Sequence, residues 1–523
     1  MSLAKSYAVS LMGLAGTLIE VEAEISSNLP SFVLIGLPDA SLSEAKDRVR
    51  AASHNSGLSM PARRVTINLS PASVPKHGAS FDLAIALSIM AAGGLVRADS
   101  VAKWVHLGEL GLDGTVRQIP GVLPALLGAK GAGFKHAVVP LANLAEAQLV
   151  DGIKVVGASH LRQVAKLHGA EIEADECTNE IRTASDLLPP ATPFLIPDIS
   201  DVIGQEEAIH ALTVAAAGGH HLLMVGPPGA GKTMLAERLP TLLPDLPLRE
   251  ALETTAIYSI ATNRVAANGG SLITRPPFEA PHHSASVSSL VGGGMGFPRP
   301  GHISLANHGV LFLDEAPEFQ KPVLEALRQP LESGEVIINR SAGTARFPAR
   351  FQLVLAANPC PCGRLSGKGQ RCVCSQAQKL HYAARLSGPL LDRVDIRLAI
   401  TPANPAQMAI GNQSEVARKT SAVARIEVAN ARAAASDRLN QTPWFINAQV
   451  PGPYLRNQLK TQSAVTAQLD RALDRGAMSM RGYDRCLRLA WTSADLAGRA
   501  SPTLEDVSMA IYLRGSENPM EPR

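Results

Sequence analysis

Eight consecutive residues form the segment of this sequence with the clearest chemical meaning. They match G-x-x-x-x-G-K-[ST] and follow directly after the strand-like run Leu222–Val225. Glycines let backbone N–H groups curl around phosphates at a helix N-terminus, the lysine reaches the β and γ oxygens, and the threonine hydroxyl binds magnesium. The spacing predicts a site for ATP and Mg²⁺, made by Gly226, Pro227, Pro228, Gly229, Ala230, Gly231, Lys232 and Thr233.

Two carboxylates, Asp314 and Glu315, follow the apolar run Val310–Leu313. A run of this kind is typical of a buried strand, and open α/β sheets bind their ligands at the carboxyl ends of the strands. Phosphoryl transfer depends on positioning and on charge stabilisation. We therefore expect Asp314 to hold the magnesium ion and Glu315 to polarise the attacking water.

A cluster of cysteines gives a second candidate site. Its spacing is C-x-C, nine residues, C-x-C, formed by Cys360, Cys362, Cys372 and Cys374. Four thiolates on one hairpin could close a tetrahedral zinc site and brace a loop that lacks a core, although the spacing differs from the commoner C-x-x-C knuckle. Free thiols are the alternative. Lys368 and Arg371 could also make this loop a nucleic-acid contact, whereas the isolated Cys177 and Cys486 are expected only to pack.

The elements that position these residues divide the chain into regions. From 1 to 170, runs typical of strands (Val65–Leu69) alternate with runs typical of helices (Asp82–Ala92), which predicts an α/β domain. From 171 to 197 the sequence is first acidic and then rich in proline, which predicts a linker because such a stretch has little to bury.

The region from 198 to 400 contains the candidate sites. Its strand-like runs, including Leu353–Ala356, alternate with helical segments, and this order predicts a doubly wound parallel sheet. From 401 to 523 the chain is rich in Ala, Arg and Leu, which predicts a helical lid. Thr503 has the character of an N-cap for the last helix.

Composition excludes several classes of protein. Of 523 residues, 46% are apolar and 18% charged, which is typical of a packed globular chain rather than a disordered one. The net charge is only +3, so a nucleic-acid surface would have to be local. The longest apolar stretch, Leu83–Val96, is too short to cross a bilayer, and Glu20 interrupts the only stretch resembling a signal peptide. Most of the cysteines are crowded in one short segment, which does not suit a disulfide framework and indicates a reducing compartment. We therefore expect a cytoplasmic protein without a membrane partner.

Several longer segments carry a resemblance to a known family. Together with the phosphate-binding segment, they resemble AAA+ ATPases of the magnesium-chelatase-like ComM/YifB family. The resemblance extends over nearly the whole chain and implies a P-loop AAA+ doubly wound sheet with a helical lid. The segments are Ala280–His283, Leu290–Gly294, Pro298–Gly301, Leu353–Gly363 and Leu386–Arg393.

This resemblance also implies roles for three polar residues. Asn358 would be sensor 1, Arg393 an arginine finger and Arg481 sensor 2, and they would orient water and neutralise charge on the γ-phosphate. An arginine finger usually serves a neighbouring subunit, so a hexameric ring is expected; surface ion pairing is the alternative for either arginine. One position departs from the family pattern, since His302 follows Gly301 where an acidic residue is expected.

The first region resembles the Lon protease domain, of ribosomal S5 domain 2-like fold, through Pro75–Ser80 and Leu107–Val116. In that resemblance Ser80 falls at the position of the nucleophile and Leu123 at that of the dyad lysine. An apolar side chain cannot accept the proton, although Lys76 or Lys130 could substitute. We therefore expect a binding or assembly module without peptidase activity.

Two functions are compatible with these features. The first is an ATP-driven ring that acts on DNA as a helicase or in branch migration, in recombination or natural transformation, as the ComM resemblance implies. The segment Val336–Arg346 could then be a β-hairpin that carries basic residues into a pore, or a plain surface hairpin. The alternative function is a chelatase-like ATPase that remodels a protein partner.

Overall fold

The computed structural model describes most of the chain. The described residues are 2–36, 42, 44–172, 197–261, 270–294, 298–340, 343–365, 372–402 and 418–515. Most of the predicted linker, Cys177, Lys368 and Arg371 lie outside these residues, so the structure does not test what the sequence predicts for them.

A seven-stranded mixed sheet organises the N-terminal unit, with strand order β3-β4-β2-β1-β5-β8-β9. β1 pairs antiparallel with β2 and parallel with β5, and β6 and β7 form a separate ribbon. The strand predicted at Val65–Leu69 is confirmed as β4. The strands are β1 (Ser2–Met12), β2 (Ala15–Ser26), β3 (Ser31–Ile35), β4 (Arg64–Ser70), β5 (Val105–His106), β6 (Glu109–Leu110), β7 (Val116–Arg117), β8 (His136–Pro140) and β9 (Lys154–Ala158).

Helices cover this sheet, and the predicted helix Asp82–Ala92 is confirmed. All of its residues are buried, as its apolar composition requires, and Asp82 accepts hydrogen bonds from the Arg48 guanidinium. The helices are α1 (Ala45–Asn55), α2 (Asp82–Ala92), α3 (Ala98–Val101), α4 (Val122–Gly131), α5 (Leu144–Ala147) and α6 (Leu161–Leu167).

A five-stranded parallel sheet with order β11-β14-β17-β10-β18 forms the centre of the second unit. Its three middle strands are buried along their whole length, as expected for a parallel sheet covered on both faces. Two ribbons, β12-β13 and β15-β16, stand outside it. The strands are β10 (Leu222–Val225), β11 (Phe278–Glu279), β12 (Gly292–Gly293), β13 (Arg299–Pro300), β14 (Val310–Leu313), β15 (Glu335–Arg340), β16 (Gly343–Pro348), β17 (Gln352–Ala357) and β18 (Ile396–Ala399).

Helices alternate with these strands, as the sequence predicts for a doubly wound sheet. The helix that begins at Lys232 starts directly after the phosphate-binding segment. The helices are α7 (Glu206–Gly218), α8 (Lys232–Leu242), α9 (Leu248–Ala261), α10 (Val287–Val291), α11 (His302–Leu305), α12 (Lys321–Ala326), α13 (Arg328–Ser333), α14 (Gln376–Ala383) and α15 (Gly388–Leu391).

The described residues after β18 that have regular structure are helical, as predicted. Thr503 accepts from the backbone of the first turn of the last helix, and Asp506 accepts in return from the Thr503 backbone, so the predicted N-cap is confirmed. The helices are α16 (Ser421–Arg438), α17 (Gly452–Asn457), α18 (Ser463–Asp474), α19 (Met480–Leu496) and α20 (Leu504–Arg514). No helix within the described ranges is long and apolar enough to span a bilayer.

Helix α9 joins the two units. Its residue Ala256 packs in the same buried apolar cluster as Val122 and Ala125 of α4. Its hydroxyl residue Ser259 donates to the buried carboxylate of Glu146, whose pKa is raised by burial. The N-terminal unit therefore makes a packed interface with the unit that contains the phosphate-binding segment.

Candidate functional site

The phosphate-binding segment forms a tight loop between β10 and α8. Gly229 and Gly231 have φ angles of 76° and 86°, which residues other than glycine rarely adopt. Gly231 is also the N-cap of α8, so the loop passes directly into the helix N-terminus. Backbone N–H groups at such a terminus have no partner within the helix and attract anions.

The ammonium group of Lys232 lies inside the curve of this loop. It donates hydrogen bonds to the carbonyl oxygens of Gly226 (2.6 Å) and Pro227 (3.0 Å) and to Oδ1 of Asn358 (3.1 Å). Burial lowers the pKa of Lys232, whereas nearby Asp314 and Glu315 act in the opposite direction. The lysine thus joins the loop to the end of β17, where Asn358 follows the last strand residue.

Oxygen ligands suitable for magnesium meet at the carboxyl edge of the sheet, where Thr233 begins α8 and Asp314 follows β14. The hydroxyl of Thr233 donates to Oδ2 of Asp314 at 2.7 Å, and the other carboxylate oxygen of Asp314 accepts from the backbone of Glu315 at 2.9 Å. Hydroxyl and carboxylate oxygens are the ligand types that Mg²⁺ prefers. The structure therefore brings Thr233 and Asp314 together as the sequence predicts, and their donor set fits this ion.

Glu315 lies at the carboxyl edge of the same sheet. Its φ of 49° is in the left-handed region, which is uncommon for a residue with a side chain and is frequent at functional sites. Its side chain is half exposed, at 51%. The carboxylate of Glu315 is therefore open to solvent at the edge where the phosphate-binding loop also lies.

His283 is a neighbour of Glu315 that the sequence analysis did not assign. Nδ1 of His283 lies 3.6 Å from Oε2 of Glu315, and the ring of His282 packs on that of His283 with centroids 4.0 Å apart. Both histidines follow β11, which pairs with β14. The one feature of the sequence that could have indicated a role for His283 is that the segment Ala280–His283 directly follows a strand-like residue pair. Nothing in the sequence showed that this strand neighbours β14.

The two arginines occupy different environments. Arg393 is mostly buried, forms an ion pair with Glu332 and donates to the carbonyl of Pro389; burial lowers its pKa. Arg481, in the first turn of α19, is 79% exposed and lies 3.6 Å from Asp392. Neither arginine is bonded to the phosphate-binding loop of its own chain in the described contacts, so their roles as finger and sensor stay predictions.

The four cysteines of the cluster come together. Sγ of Cys360 lies 3.4 Å from Sγ of Cys362 and 3.7 Å from that of Cys372, and the Cys362 and Cys372 sulfurs are 3.8 Å apart. With Cys374 included, all four sulfurs lie within 4.8 Å of one another. Four thiolates around zinc at about 2.3 Å would be separated by about 3.8 Å. The arrangement therefore has the dimensions of a tetrahedral metal site.

Backbone groups support a charged sulfur in this cluster. The N–H groups of Arg364 and Val373 donate to Cys362 and lower the pKa of its thiol to about 6. Burial raises the pKa of the Cys360 thiol to about 12. A metal ligand must be the thiolate, so at least one member of the cluster is prepared to bind a cation.

Comparison with known proteins identifies the family. Residues 198–408 match the family described as magnesium chelatase, subunit ChlI; residues 21–143 match the subunit ChlI of Mg-chelatase; and residues 418–514 match the ChlI C-terminal family. The competence protein ComM of Haemophilus influenzae is 41% identical over 95% of this chain and 94% of its own length. The chain belongs to the ComM/YifB family of magnesium-chelatase-like AAA+ proteins.

Two further relatives have the same extent. The protein YifB of Escherichia coli is 41% identical over 98% of this chain and 97% of its own length. A protein of Mycobacterium tuberculosis is 48% identical over 98% of this chain and 99% of its own length. The similarity to the ComM/YifB family thus includes the N-terminal unit and the helical end as well as the parallel sheet.

The predicted hairpin of this ComM/YifB protein is confirmed as β15 and β16, which pair in antiparallel register. Its end rests on the turn between β1 and β2: a Cβ on Gly13 would lie 2.5 Å from the carbonyl oxygen of Arg346, and one on Gly343 would lie 3.1 Å from Cε of Met12. Residues 341–342 at the tip lie outside the described residues. One side of the hairpin is therefore covered by the N-terminal unit.

The other side of the hairpin faces the ribbon β12-β13. Ile338 lies against Gly292, and the Arg340 guanidinium lies above Gly293. Arg299 on β13 and Arg340 on β15 are both exposed, whereas Arg346 is engaged by Glu335 at 3.0 Å. The two adjoining ribbons thus form a basic ribbon surface, defined here by Arg299 and Arg340.

The departure at position 302 is explained by a neighbouring carboxylate. Nδ1 of His302 lies 2.7 Å from Oε2 of Glu279 on β11, and the Tyr258 hydroxyl donates to Oε1 of the same residue. An acidic side chain at position 302 would repel Glu279 at this distance. In this chain, therefore, a histidine rather than an acid is compatible with Glu279.

Ser80 lines a cavity of about 210 Å³ between the two units, together with His77, Glu109 and Arg299. Among the described residues that line it there is no lysine. Leu123 is fully buried in α4, and the buried Lys76 donates to the carbonyl of Pro71. Neither of these two residues lines the cavity with Ser80, so the expectation of a module without peptidase activity stays a prediction.

Proposed function

We propose that this ComM/YifB protein is an ATP-hydrolysing ring motor that acts on DNA as a helicase or in branch migration, in recombination or natural transformation. The observation that carries the ATPase assignment is the meeting of Lys232, the Thr233–Asp314 pair and Glu315 at one edge of the parallel sheet. This edge is where open α/β sheets bind their ligands.

Each of these residues has a separate part in hydrolysis. Lys232 and the backbone N–H groups at the start of α8 bind the phosphates, while Thr233 and Asp314 supply ligands for magnesium. Magnesium, when bound, neutralises charge on the phosphate oxygens. Glu315 polarises the attacking water, and Asn358, which is already bonded to Lys232, orients it.

A ring accounts for the position of Arg393. Its described partners, Glu332 and Pro389, belong to α13 and to α15 of the same chain and not to the phosphate-binding loop. An arginine that makes no described contact with its own phosphate-binding loop is suited to complete the site of a neighbouring copy. We therefore infer a closed ring, with a hexamer as the expected number of copies.

DNA is the proposed substrate because of the basic ribbon surface and because one full-length relative is named a competence protein. Arg299 and Arg340 present two cations on adjoining ribbons in a chain whose net charge is only +3. Arginines on such ribbons bind phosphates in a salt-dependent manner. The surface is local, as composition requires.

The test is ATPase activity with single-stranded and forked DNA. DNA should stimulate turnover, and the stimulation should fall steeply as salt increases. Arg340→Ala should weaken DNA binding and lower the salt slope by about 1, whereas the exposed Arg63→Ala in the N-terminal unit should change neither. If DNA leaves turnover unchanged, the proposed DNA role is wrong. The alternative function, a chelatase-like ATPase that remodels a protein partner, would then be favoured, and the three chelatase family matches support it.

The cysteine cluster is proposed to hold structural zinc. The sulfur separations of 3.4 to 3.8 Å suit a tetrathiolate ion, and all of them far exceed the about 2.05 Å of a disulfide. Elemental analysis of protein purified under reducing conditions should find about one zinc per chain. Protein that contains no metal and binds none on titration would contradict this assignment.

The remaining regions are assigned to supporting roles. We take residues 1–170 as a Lon-like α/β module without peptidase activity, 171–197 as linker, 198–400 as the ATPase core and 401–523 as the helical lid. The packing of α9 on α4 supports assembly or positioning as the role of the first module. The five described cysteines are free, which suits the reducing cytoplasm as its location.

A further inference from the structure

One short segment connects the cysteine cluster to the nucleotide site. Asn358, which accepts a hydrogen bond from Lys232, is separated by a single residue from Cys360. Cys360 is completely buried, and its carbonyl accepts from the backbone N–H of Gly363 at 2.9 Å. The first half of the cluster therefore follows Asn358 almost directly in the chain, and there is no room for a flexible spacer between them.

Gly363 touches the phosphate-binding loop directly. A Cβ at this position would lie 2.7 Å from Cδ and 2.8 Å from Cγ of Pro228, and 4.0 Å from Cγ of Asn358. The φ of Gly363 is +70°, so both the conformation and the close approach require glycine. The turn that follows Cys362 is thus packed against Pro228 on one side and Asn358 on the other.

The second half of the cluster returns to the same place. Cys374 precedes Ser375, which caps helix α14 through a reciprocal hydrogen bond with Gln378. Tyr382 of that helix is buried, and the backbone of Asn358 hydrogen-bonds to its phenol. Both halves of the cluster are therefore anchored to the sensor, and each half also donates a backbone N–H to a sulfur of the other, Val373 to Cys362 and Cys362 to Cys374. A shared cation would add direct bonds from all four sulfurs to one centre.

We propose that metal bound by Cys360, Cys362, Cys372 and Cys374 controls ATP turnover by holding Asn358 and Pro228 in their working positions. This inference rests on the proposed ATPase function and adds a regulator to it, namely a thiophilic divalent cation such as zinc. Without the metal, the sulfurs of the two halves lose the ligand bonds that would join them through one centre. The turn at Gly363 then loses its brace, and the sensor and the loop lose their alignment.

The first experiment removes and restores the metal in the full-length protein. Protein stripped of zinc by a chelator under reducing conditions, then freed of the chelator and assayed with excess Mg²⁺, should have a kcat/KM for ATP lower by about tenfold to a hundredfold, the scale expected when catalytic groups move by about 1 Å. Adding zinc back should restore it. Cobalt should also bind and give the visible absorption of a tetrahedral thiolate site, which reports loading independently of activity.

Substitutions locate the effect in the cluster. Cys372→Ser with Cys374→Ser leaves the residues next to Asn358 intact and should abolish metal binding and reduce turnover. Cys486→Ala, which removes a buried cysteine outside the cluster, should keep both the metal and turnover. If the double variant does not fold, the chelation and reloading experiment still decides the question in the unaltered chain.

A separate variant tests the contact between the cluster and the loop. Gly363→Ala should retain about one metal per chain but raise the KM for ATP, because the added methyl group displaces Pro228. Gly388→Ala is the matched control. A Cβ at Gly388 would meet no atom within 4 Å, and the φ of Gly388 lies outside the left-handed range that disfavours side chains. Unchanged KM in Gly363→Ala would overturn the coupling.

The outcomes separate this inference from the proposed function. Metal-free protein with the kcat and KM of the loaded protein would overturn the inference and leave the ATPase assignment intact. Loaded protein without any ATPase activity, whether or not DNA is present, would overturn the proposed function itself. Failure of the unaltered chain to bind zinc or cobalt would exclude the metal site and therefore the control.

Discussion

Lys232 and Glu315 lie at one sheet edge in different surroundings, and these surroundings fit the separate parts proposed for them in hydrolysis. Lys232 is buried and bonded to two carbonyls of its own loop, so its position is fixed before any phosphate arrives. Glu315 is half exposed and held by a left-handed backbone conformation instead of by burial. The first residue is suited to binding and the second to chemistry, so their substitution should have different consequences.

Lys232→Ala should abolish nucleotide binding or turnover, because it removes the cation beside the β and γ phosphates. Glu315→Gln should bind ATP like the unaltered protein but fail to hydrolyse it, since the amide retains the size of the side chain and loses the charge. Binding of a fluorescent ATP analogue and phosphate release measure the two properties separately. Hydrolysis at the normal rate in both variants would refute the site assignment.

At the scale of single residues, the sequence was informative where chemistry demands a fixed spacing. The meeting of Thr233 with Asp314 could be predicted because Thr233 begins the helix after β10 and Asp314 follows β14, and the carboxyl ends of both strands lie at the same edge of the parallel sheet. The position of His283 beside Glu315 could not, because it depends on which strand lies next to β14. The partner of His302, Glu279, was hidden for the same reason.

Among the structural elements, the N-terminal sheet contains a buried chain of polar side chains. The hydroxyl of Ser6 on β1 bonds to Nδ1 of His106 on β5 at 3.0 Å, and Nε2 of His106 bonds to Nε2 of His168 at 3.0 Å. Nδ1 of His168 bonds to the Ser100 hydroxyl at 2.9 Å. Both rings are buried, so burial lowers the pKa of His106 well below its usual value and that of His168 to about 4.

This chain of side chains predicts a loss of stability in acid. Folding keeps His168 neutral, so its contribution is fully present above pH 6.5 and is lost as the pH falls through the interval from 6.5 to about 4. A pKa difference of this size corresponds to about 3 kcal/mol. Thermal unfolding of the N-terminal unit, followed across this interval, should show a decreasing Tm.

The matched variants are His168→Gln, which removes the titrating ring, and His54→Gln, which removes an exposed ring on α1. His168→Gln should lower Tm at neutral pH but flatten its decrease in acid, whereas His54→Gln should leave the curve unchanged. An identical acid dependence in the protein with and without His168 would show that this network does not cause it.

At the scale of elements, periodicity predicted the strands and helices that carry the site, including the hairpin of β15 and β16. What covers each element could not be read from the sequence. The hairpin rests on the turn between β1 and β2, and α9 packs on α4, because surfaces more than 100 residues apart in the chain match in shape. Such long-range contacts leave no local pattern in one sequence.

At the scale of the whole molecule, the central question is whether the active site is complete within one chain. The described contacts bring together the residues proposed to bind phosphate, to bind magnesium and to polarise water, but they place Arg393 with Glu332 instead. Three further arginines, Arg328, Arg481 and Arg485, act on the charge of Arg393, and each of the four has a carboxylate partner of its own. In the proposed ring, a second copy would bring its bound nucleotide to Arg393 in place of Glu332.

The last prediction tests this association. Arg393→Ala should retain ATP affinity but lose turnover by a factor that reaches about a thousand, the scale for arginine fingers. Arg97→Ala, whose exposed side chain pairs with Asp99 at 3.2 Å in the N-terminal unit, is the control and should keep turnover. Mixing Arg393→Ala with Lys232→Ala protein should restore part of the activity, because a mixed ring contains junctions where an intact Lys232 of one copy faces an intact Arg393 of another. Such rescue is impossible if both residues act within one chain or if the protein works as a monomer. Absence of rescue in oligomers shown to be mixed would therefore exclude the trans role of Arg393, and with it the main structural reason for a ring.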